Sequence, residues 1–293
     1  MSGQIAALAS AFCWAASTVL LKSQLHRVSP VSLNTLRSLF GSAFLLLFLT
    51  QLGKLGEVTR IPVVPLLYLV GSVLIGLVLG DTLFFRSMGL IGVSRAMPIA
   101  SSYPLLTLAL AAIFLGESIT WITALGTLLV VAGVYLVATP PAQSAASIVP
   151  ANKEGVGLAL IAAVCWALST AILKIGITDL DILAAAGVRM WATALVLTSV
   201  VSLRQQERVF RPHDQQFWLI VTTASFLGTG GGSLLYVAAV QLAGAARAAT
   251  LTSTSPLFAA PLSALFLGEK LTIRIIIGML LTVGGVWLVL PGG

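Results

Sequence analysis

Charge is what this sequence has least of. Only 9% of its 293 residues are Asp, Glu, Lys or Arg, against about 25% in an ordinary soluble domain. A water-exposed surface cannot be covered with so few charges, whereas a surface facing lipid needs none. Histidine is scarcer still. His26 and His213 both fall in polar connections, so neither a His-Glu-x-x-His pair nor a Ser-His-Asp set can be assembled inside an apolar segment. The two cysteines, Cys13 and Cys165, sit within apolar runs and read as small hydrophobes. They are too few for a disulfide framework or a zinc site. The run GTGGGS from Gly228 to Ser233 lacks the Lys-Ser/Thr of a phosphate loop. These scarcities point away from an enzyme and away from any cofactor or bound metal.

What is abundant is hydrophobicity, at 58% of residues with a mean hydropathy of +1.05. The formal charge of +7 comes from basic residues scattered in short connections. No basic stripe interleaved with aromatics is present, so nucleic acid is not an expected partner; membrane insertion itself selects Lys and Arg in loops. About 20 apolar residues cross a bilayer as a helix. Ten such spans are expected, at 4–21, 31–51, 64–85, 94–115, 119–138, 156–174, 182–203, 216–240, 246–267 and 271–290. The first is expected to be a span rather than a cleavable signal, because no charged segment precedes it. The segment 139–154, TPPAQSAASIVPANKE, reads as a linker.

The halves beside that linker repeat without a gap at an offset of 152 positions. CWAASTVLLK from Cys13 matches CWALSTAILK from Cys165, Arg37 matches Arg189, and Gly76 and Gly80 match Gly228 and Gly232. Arg95 matches Arg247, Pro104 matches Pro256, and the FLGE ending at Glu117 matches that ending at Glu269. Shared Leu and Ala arise by chance between apolar segments; Trp, Arg, Pro and Glu in one register do not. Residues 1–138 and 155–293 are therefore expected to be two five-helix units. An odd number of spans makes the second unit enter from the opposite side, so the fold class expected is an all-α integral membrane protein of ten transmembrane helices in two inverted repeats.

The arginine of span 2, the segment SRAMPIASSYPLLTLALAAIFLGESIT with its second copy ARAATLTSTSPLFAAPLSALFLGEKLT, and the Gly-x6-Gly helix ending VYLV resemble the EamA-type repeat. The whole arrangement resembles the ten-helix members of the drug/metabolite transporter superfamily, over essentially the full chain. The resemblance implies a monomer-sized unit in the inner or plasma membrane. Its cavity would be surrounded by spans 1–4 and 6–9, with spans 5 and 10 peripheral. It implies carriage of amino acids, nucleosides, sugars or similar small metabolites, often outward, by alternating access. A passive channel or facilitator is the alternative, although the polar lining or charged rings of a channel are not evident.

Candidate cavity residues follow from polarity inside apolar spans. Trp14 and Ser17, with Ser10 and Thr18, share one helical face, and Trp166 and Ser169 repeat it. Mid-span indoles read either as walls of a ligand cavity or as packing. Ser101, Ser102 and Tyr103 precede Pro104, and Thr252 and Ser253 precede Pro256. Proline frees a backbone carbonyl that hydroxyls or water must satisfy. Tyr236 joins this substrate-binding set. Asp81 is the one carboxylate well inside an expected span; a charge there marks either a site for a proton or substrate amine or an ion pair with Arg86, Arg37 or Arg95. The pair is the expectation. Arg37 and Arg189, about 9–10 Å into their spans at helical rise, are expected to be structural, as are Pro104 and Pro256. Glu117 and Glu269 are expected to cap the helices that follow them. Basic residues favour the connections after odd-numbered spans (Lys22, Arg27, Arg86, Arg95, Lys153, Arg204, Arg208, Arg211, Lys270, Arg274) over the others (Lys54, Arg60, Lys174, Arg247). The positive-inside rule then puts the former in the cytoplasm and both termini outside.

Overall fold

A computed structural model of the chain describes residues 1–22, 24, 27–28, 30–91, 93–138, 153–203, 214–267 and 272–290. Glu269, both histidines and most of the expected linker lie outside these, as do the side chains of Arg95 and Pro98. Every regular element among the described residues is helical. That follows from composition: apolar segments without water must satisfy each N–H and C=O within the segment.

The helices are α1 (Ser2–Lys22), α2 (Pro30–Gln51), the short α3 (Leu55–Thr59), α4 (Val63–Val73), α5 (Asp81–Ile91), α6 (Val93–Ala100), α7 (Tyr103–Phe114) and α8 (Trp121–Ala138). After the linker come α9 (Lys153–Gly176), α10 (Ile182–Leu203), α11 (Gln215–Ser225), α12 (Ser233–Ala243), α13 (Ala245–Thr252), α14 (Ser255–Leu267) and α15 (Ile273–Val289). Seven helical segments are long and apolar enough to cross a membrane. The other three expected spans differ from the sequence reading. The fourth and ninth are each broken into two helices, at Ser101–Ser102 and at Ser253–Thr254, and the tenth is shortened to α15. Pro104 and Pro256 stand at the starts of α7 and α14 rather than kinking a continuous rod. A missing N–H costs nothing in the first turn.

The third and eighth spans carry a second irregularity. A seven-residue π turn joins α4 to α5 at Leu74–Gly80, and another joins α11 to α12 at Phe226–Gly232. These positions are 152 residues apart, as are the bounds of α2 and α10 and of α5 and α12.

Contacts sort the helix ends onto two faces. Gly3 packs on Ala243 and Gly176 on Tyr68, while Lys54 bonds Asp181; these ends define the terminal face. Gly155 packs on Ile91, Arg27 pairs with Asp214 and Arg86 with Glu154; these define the linker face. One apolar core, including Ala7, Leu49, Leu69, Leu173, Ile177, Ala185 and Val240, joins both halves of the chain near the terminal face. Toward the linker face the core divides. One cluster gathers Leu21, Leu36, Val201 and Phe217, and another gathers Phe84, Ile91, Ala96 and Ala162.

α8 and α15, which give Val130, Val134, Val286 and Val289 to the core that joins both halves, lie backbone to backbone. A Cβ on Gly126 would stand 2.8 Å from the Gly285 carbonyl oxygen, and one on Gly278 would stand 2.7 Å from that of Gly133. Contact this close is open only to glycine, and in lipid such packing supplies much of the attraction between helices.

Candidate functional site

The π turns organise the site. A π turn widens the helix and loosens the pairing of carbonyls with N–H groups. In an apolar surrounding each loose carbonyl needs a donor, and side chains of the facing helix supply it. Against the second π turn, Ser17 Oγ of α1 donates to Ala224 O at 2.8 Å, Trp14 Nε1 to Gly228 O at 3.1 Å, and Ser10 Oγ to Gly232 O at 2.8 Å. Against the first, Ser169 Oγ of α9 donates to Ser72 O at 2.6 Å. Glycine makes the approach possible: a Cβ on Gly228 would sit 2.7 Å from the Ser17 Cβ, and one on Gly76 would sit 2.6 Å from the Ser169 Cβ. Thus α1 clamps the π turn of the second half and α9 that of the first.

The symmetry breaks at Ser10, whose counterpart is Ala162, and at the two indoles. Trp166 Nε1 donates not to a backbone carbonyl but to Asp81 Oδ1, at 2.8 Å. Position 233, the counterpart of Asp81, is serine. The expected ion pair of Asp81 with Arg86 does not form, because Arg86 reaches Glu154 at 2.6 Å across the linker face. Arg37 acts on Asp81 electrostatically, but among the described residues Asp81 has no ion pair. Its hydrogen-bond partner is an indole.

Between the clamps lies a cavity of about 290 Å³. Of the expected substrate-binding residues, Trp14, Asp81, Ser101, Tyr103, Trp166, Ser169, Tyr236, Thr252 and Ser253 line it. Ser17 and Ser102 do not. Ser17 is buried in the clamp, and the Ser102 hydroxyl turns back to Ile99 O at the helix break. The rings form connected walls. Trp14 lies 5.3 Å from Tyr236, Phe84 lies 5.2 Å from Trp166, and Tyr103 meets Trp166 edge-on at 5.9 Å between centroids. Tyr236 OH is fixed by Thr170 Oγ1 at 2.7 Å, and Tyr103 OH donates to Ala249 O at 3.2 Å.

Arg189, expected to be structural, also lines the cavity, as does Pro256. Its Nε donates to Ser72 Oγ at 3.2 Å and its guanidinium carbon lies 5.8 Å from the centre of the Tyr236 ring. Its repeat mate Arg37 is not among the lining residues. The sequence signal was present in both arginines; nothing local told them apart.

Glu117 does cap a helix start, but across the repeats rather than in its own. Its carboxylate accepts from Ala245 N at 2.5 Å and Ala246 N at 3.1 Å, at the head of α13. The start of α8 uses Thr120 Oγ1, which accepts from Thr123 N at 3.1 Å. A second cavity, shaped by Thr18, Ala259, Ser263 and the ends of α8 and α15, shares Met97, Ser255 and Pro256 with the first. It carries the central cavity toward the linker face. On the terminal face the route meets the continuous core and a polar seal. There Gln241 Nε2 donates to Ile177 O and Leu180 O, and Lys174 Nζ to Gln241 O.

A polytopic helical membrane protein with an aromatic, sparsely charged cavity enclosed between its halves is the class this geometry defines. The EamA-like transporter family model matches residues 1–139 and 153–290, and the chain belongs to that family. It is a multi-pass transmembrane transporter, with the lipid bilayer and a small-molecule substrate as its partners. It is 26% identical over 286 residues to an uncharacterized transporter of Archaeoglobus fulgidus, covering 97% of this chain and 96% of that one. It is 34% identical over 149 residues to the uncharacterized transporter YvbV of Bacillus subtilis, covering 50% of this chain and 48% of that one. A solved crystal structure shares the fold with a TM-score of 0.80 at 21% identity, covering 99% of this chain and 96% of the other.

Proposed function

We propose that the chain is a secondary transporter that moves small metabolites, amino acids or similar, across the cell membrane by alternating access, as a monomer and in the export direction. In this reading it crosses the bilayer ten times, and its halves, 1–138 and 155–293, are inverted repeats joined by the linker. The carrying observation is the cavity held between two clamps of related design and connected, among the described residues, toward the linker face. Helix breaks at matching positions of two halves favour a transport site, and a core continuous on one face but divided on the other is what a state open to one side requires. Counterflow in proteoliposomes tests it. A carrier shows saturable uptake of labelled amino acids, stimulated by unlabelled substrate on the opposite side. Unsaturable flux without trans-stimulation identifies a passive facilitator instead.

The Lys54–Asp181 pair, 2.6 Å long, belongs in this scheme to the terminal-face closure. Burial alone would raise the Asp181 carboxyl, but its hydrogen bond from Lys54, the Lys54 charge and the N–H groups of Ala184 and Leu183 prevail and lower it. The same hydrogen bond and charge raise Lys54. The Asp181 contribution is therefore present above its unfolded pKa of about 3.9 and lost as pH falls through the lowered folded value. The Lys54 contribution is present below about 10.4 and lost as pH rises through the raised one. Solvent screens the exposed Lys54 ammonium, so the pair contributes little. Asp181→Asn is expected to speed labelling of an Ile177→Cys reporter by a membrane-impermeant thiol reagent about two- to fivefold at neutral pH. Both native cysteines would be replaced first. An unchanged rate would remove the pair from the closure.

A further inference from the structure

Each half of the chain contributes one helix of the same kind to a seam, and the two seams are in opposite states. On the terminal face α13 is packed on α7. Leu108 and Ala111 of α7 cluster with Ala245 and Ala246 of α13, and Thr107, Ala111 and Ala249 are fully buried. The equivalent seam lies between α14 and α6, since α14 matches α7 and α6 matches α13 at the offset of 152 residues. That seam is open. Ala259 and Ser263, the counterparts of Thr107 and Ala111, line the second cavity. Met97, the counterpart of Ala249, is 37% exposed.

Bulk changes sides between the two seams. In the closed one the large residue stands on α7, where the Tyr103 hydroxyl donates to Ala249 O at 3.2 Å, and its partner position on α13 is alanine. In the open one α14 carries Ser255 where α7 carries Tyr103, and α6 carries Met97 where α13 carries Ala249. Each seam keeps one large and one small side chain at this pair. Two large ones would hold the helices apart and two small ones would leave a hole, so the exchange preserves the volume that a closed contact must fill. Met97, Ser255 and Pro256 border both the central and the second cavity, which places the pair at the neck between them. Proline is held by its ring and serine is short. Methionine is long, unbranched and adaptable, so Met97 is the member of the neck that can alter its width.

Resting on the reading of the central cavity as the transported path, we propose that Met97 is the gate residue of the linker face. With the seam open, its thioether limits the size of the molecule that passes between the second cavity and the central one. With the seam closed, α6 packs on α14 as α13 packs on α7, and Met97 seats against Ser255 as Tyr103 meets Ala249 in the other half. The two plugs differ in one respect. Tyr103 is tied by its hydrogen bond, whereas a thioether has no N–H or O–H to donate. The linker-face seam is therefore the one that opens more easily.

The test is labelling of a Ser101→Cys reporter in the purified protein in detergent, with both native cysteines replaced, so that it stands or falls separately from transport. Ser101 lines the central cavity and not the second one, so a reagent arriving from the linker face must pass the neck. The probes are N-ethylmaleimide, which is small, and fluorescein maleimide, which is bulky. Met97→Ala is expected to speed the bulky reagent at least about fivefold while changing the small one less than about twofold. Met97→Leu, of nearly the same volume, is expected to leave both rates within about twofold. Adding Ser255→Tyr to Met97→Ala transplants the terminal-face pair and is expected to return the bulky rate to about its original value. Separately, Met97→Cys/Ser255→Cys is expected to form a disulfide under copper phenanthroline and dioxygen, read as loss of both free thiols. Met97→Cys/Ser263→Cys, with its second cysteine about two turns farther along α14, is expected to stay reduced. An equal gain with both reagents in Met97→Ala, or a gain with neither, overturns the gate. A bulky rate that stays high after Ser255→Tyr overturns the seating on Ser255, as does a missing disulfide to position 255 or one formed as readily to position 263. Counterflow that fails while labelling and cross-linking behave as expected refutes the carrier and leaves Met97 standing as the constriction of the cavity.

Discussion

Gly133→Leu is expected to cost the protein much of its folded yield, and Gly278→Leu to do the same from the other side of one contact. A Cβ on Gly133 would lie 2.5 Å from the Gly278 carbonyl oxygen, and one on Gly278 would meet Gly133 O at 2.7 Å. The obstacles are backbone atoms, which no side-chain rotation can move aside. The helices must separate, and the close backbone contact of the seam is lost. Overpacking in a core costs about 1–3 kcal/mol, occasionally more. No water-driven term pulls the helices back together, because lipid tails are as apolar as the helix faces. The measurement is the monodisperse fraction after detergent extraction, with the melting temperature of what remains; a several-fold loss and a lower melting point are expected. Gly284→Leu is the control, since nothing lies within 4 Å of its Cβ direction. Equal behaviour of the Gly133 and Gly284 variants would show that α8 and α15 do not depend on glycine contact.

The architecture was legible wherever a residue type is costly in an apolar helix. Trp14, Trp166, Asp81, Tyr103 and Tyr236 could be singled out because an indole, a phenol or a carboxylate in hydrocarbon needs a partner, and the structure gathers them round one cavity. The π turns were not legible. Gly76 and Gly80 promised close helix approach, but glycine spacing does not distinguish an α-helix pressed against its neighbour from one locally widened. That widening decides where the hydroxyls go. Ser17 and Ser169 occupy equivalent positions, and both are drawn to carbonyls beside the π turns, yet only Ser169 borders the cavity.

The broken fourth and ninth spans were hidden for a related reason. Hydropathy sums along the chain and does not register the backbone stepping aside at Ser101–Ser102 or Ser253–Thr254. Helices α6 and α13 are also the least apolar parts of their spans, as SRAMPIA and AARAATLT show. Glu117 marks another limit. Its position after a helix suggested a local cap, whereas its partners Ala245 and Ala246 lie in the other half. Gly244, with φ at +86°, turns the chain sharply enough to present those N–H groups. Pairing over such a distance has no local signature, and it ties the two halves together on the terminal face.

The two indoles, equivalent in sequence, are expected to differ in function once altered. Trp14→Ala removes a wall against Tyr236 and the donor to Gly228 O. Trp166→Ala removes the contacts to Phe84 and Tyr103 and also the one hydrogen bond found on Asp81. Aromatic pairs contribute about 0.5–1.5 kcal/mol each beyond area, and a hydrogen bond to a charged group about 1.5–3 kcal/mol. Initial counterflow rates should therefore fall roughly tenfold for Trp14→Ala and further, by about a hundredfold, for Trp166→Ala. Both side chains border a void rather than a filled core, so the variants should still elute as single species in detergent. Phe substitutions separate ring from N–H. Trp14→Phe keeps most of its wall and loses a donor to a neutral carbonyl, which is the smaller loss. Trp166→Phe keeps a ring but leaves Asp81 with no donor in the structure, so its transport should fall well below that of Trp14→Phe. Full transport by both alanine variants would reduce the indoles to packing. Equal losses in the two phenylalanine variants would remove the Asp81–Trp166 bond from the mechanism.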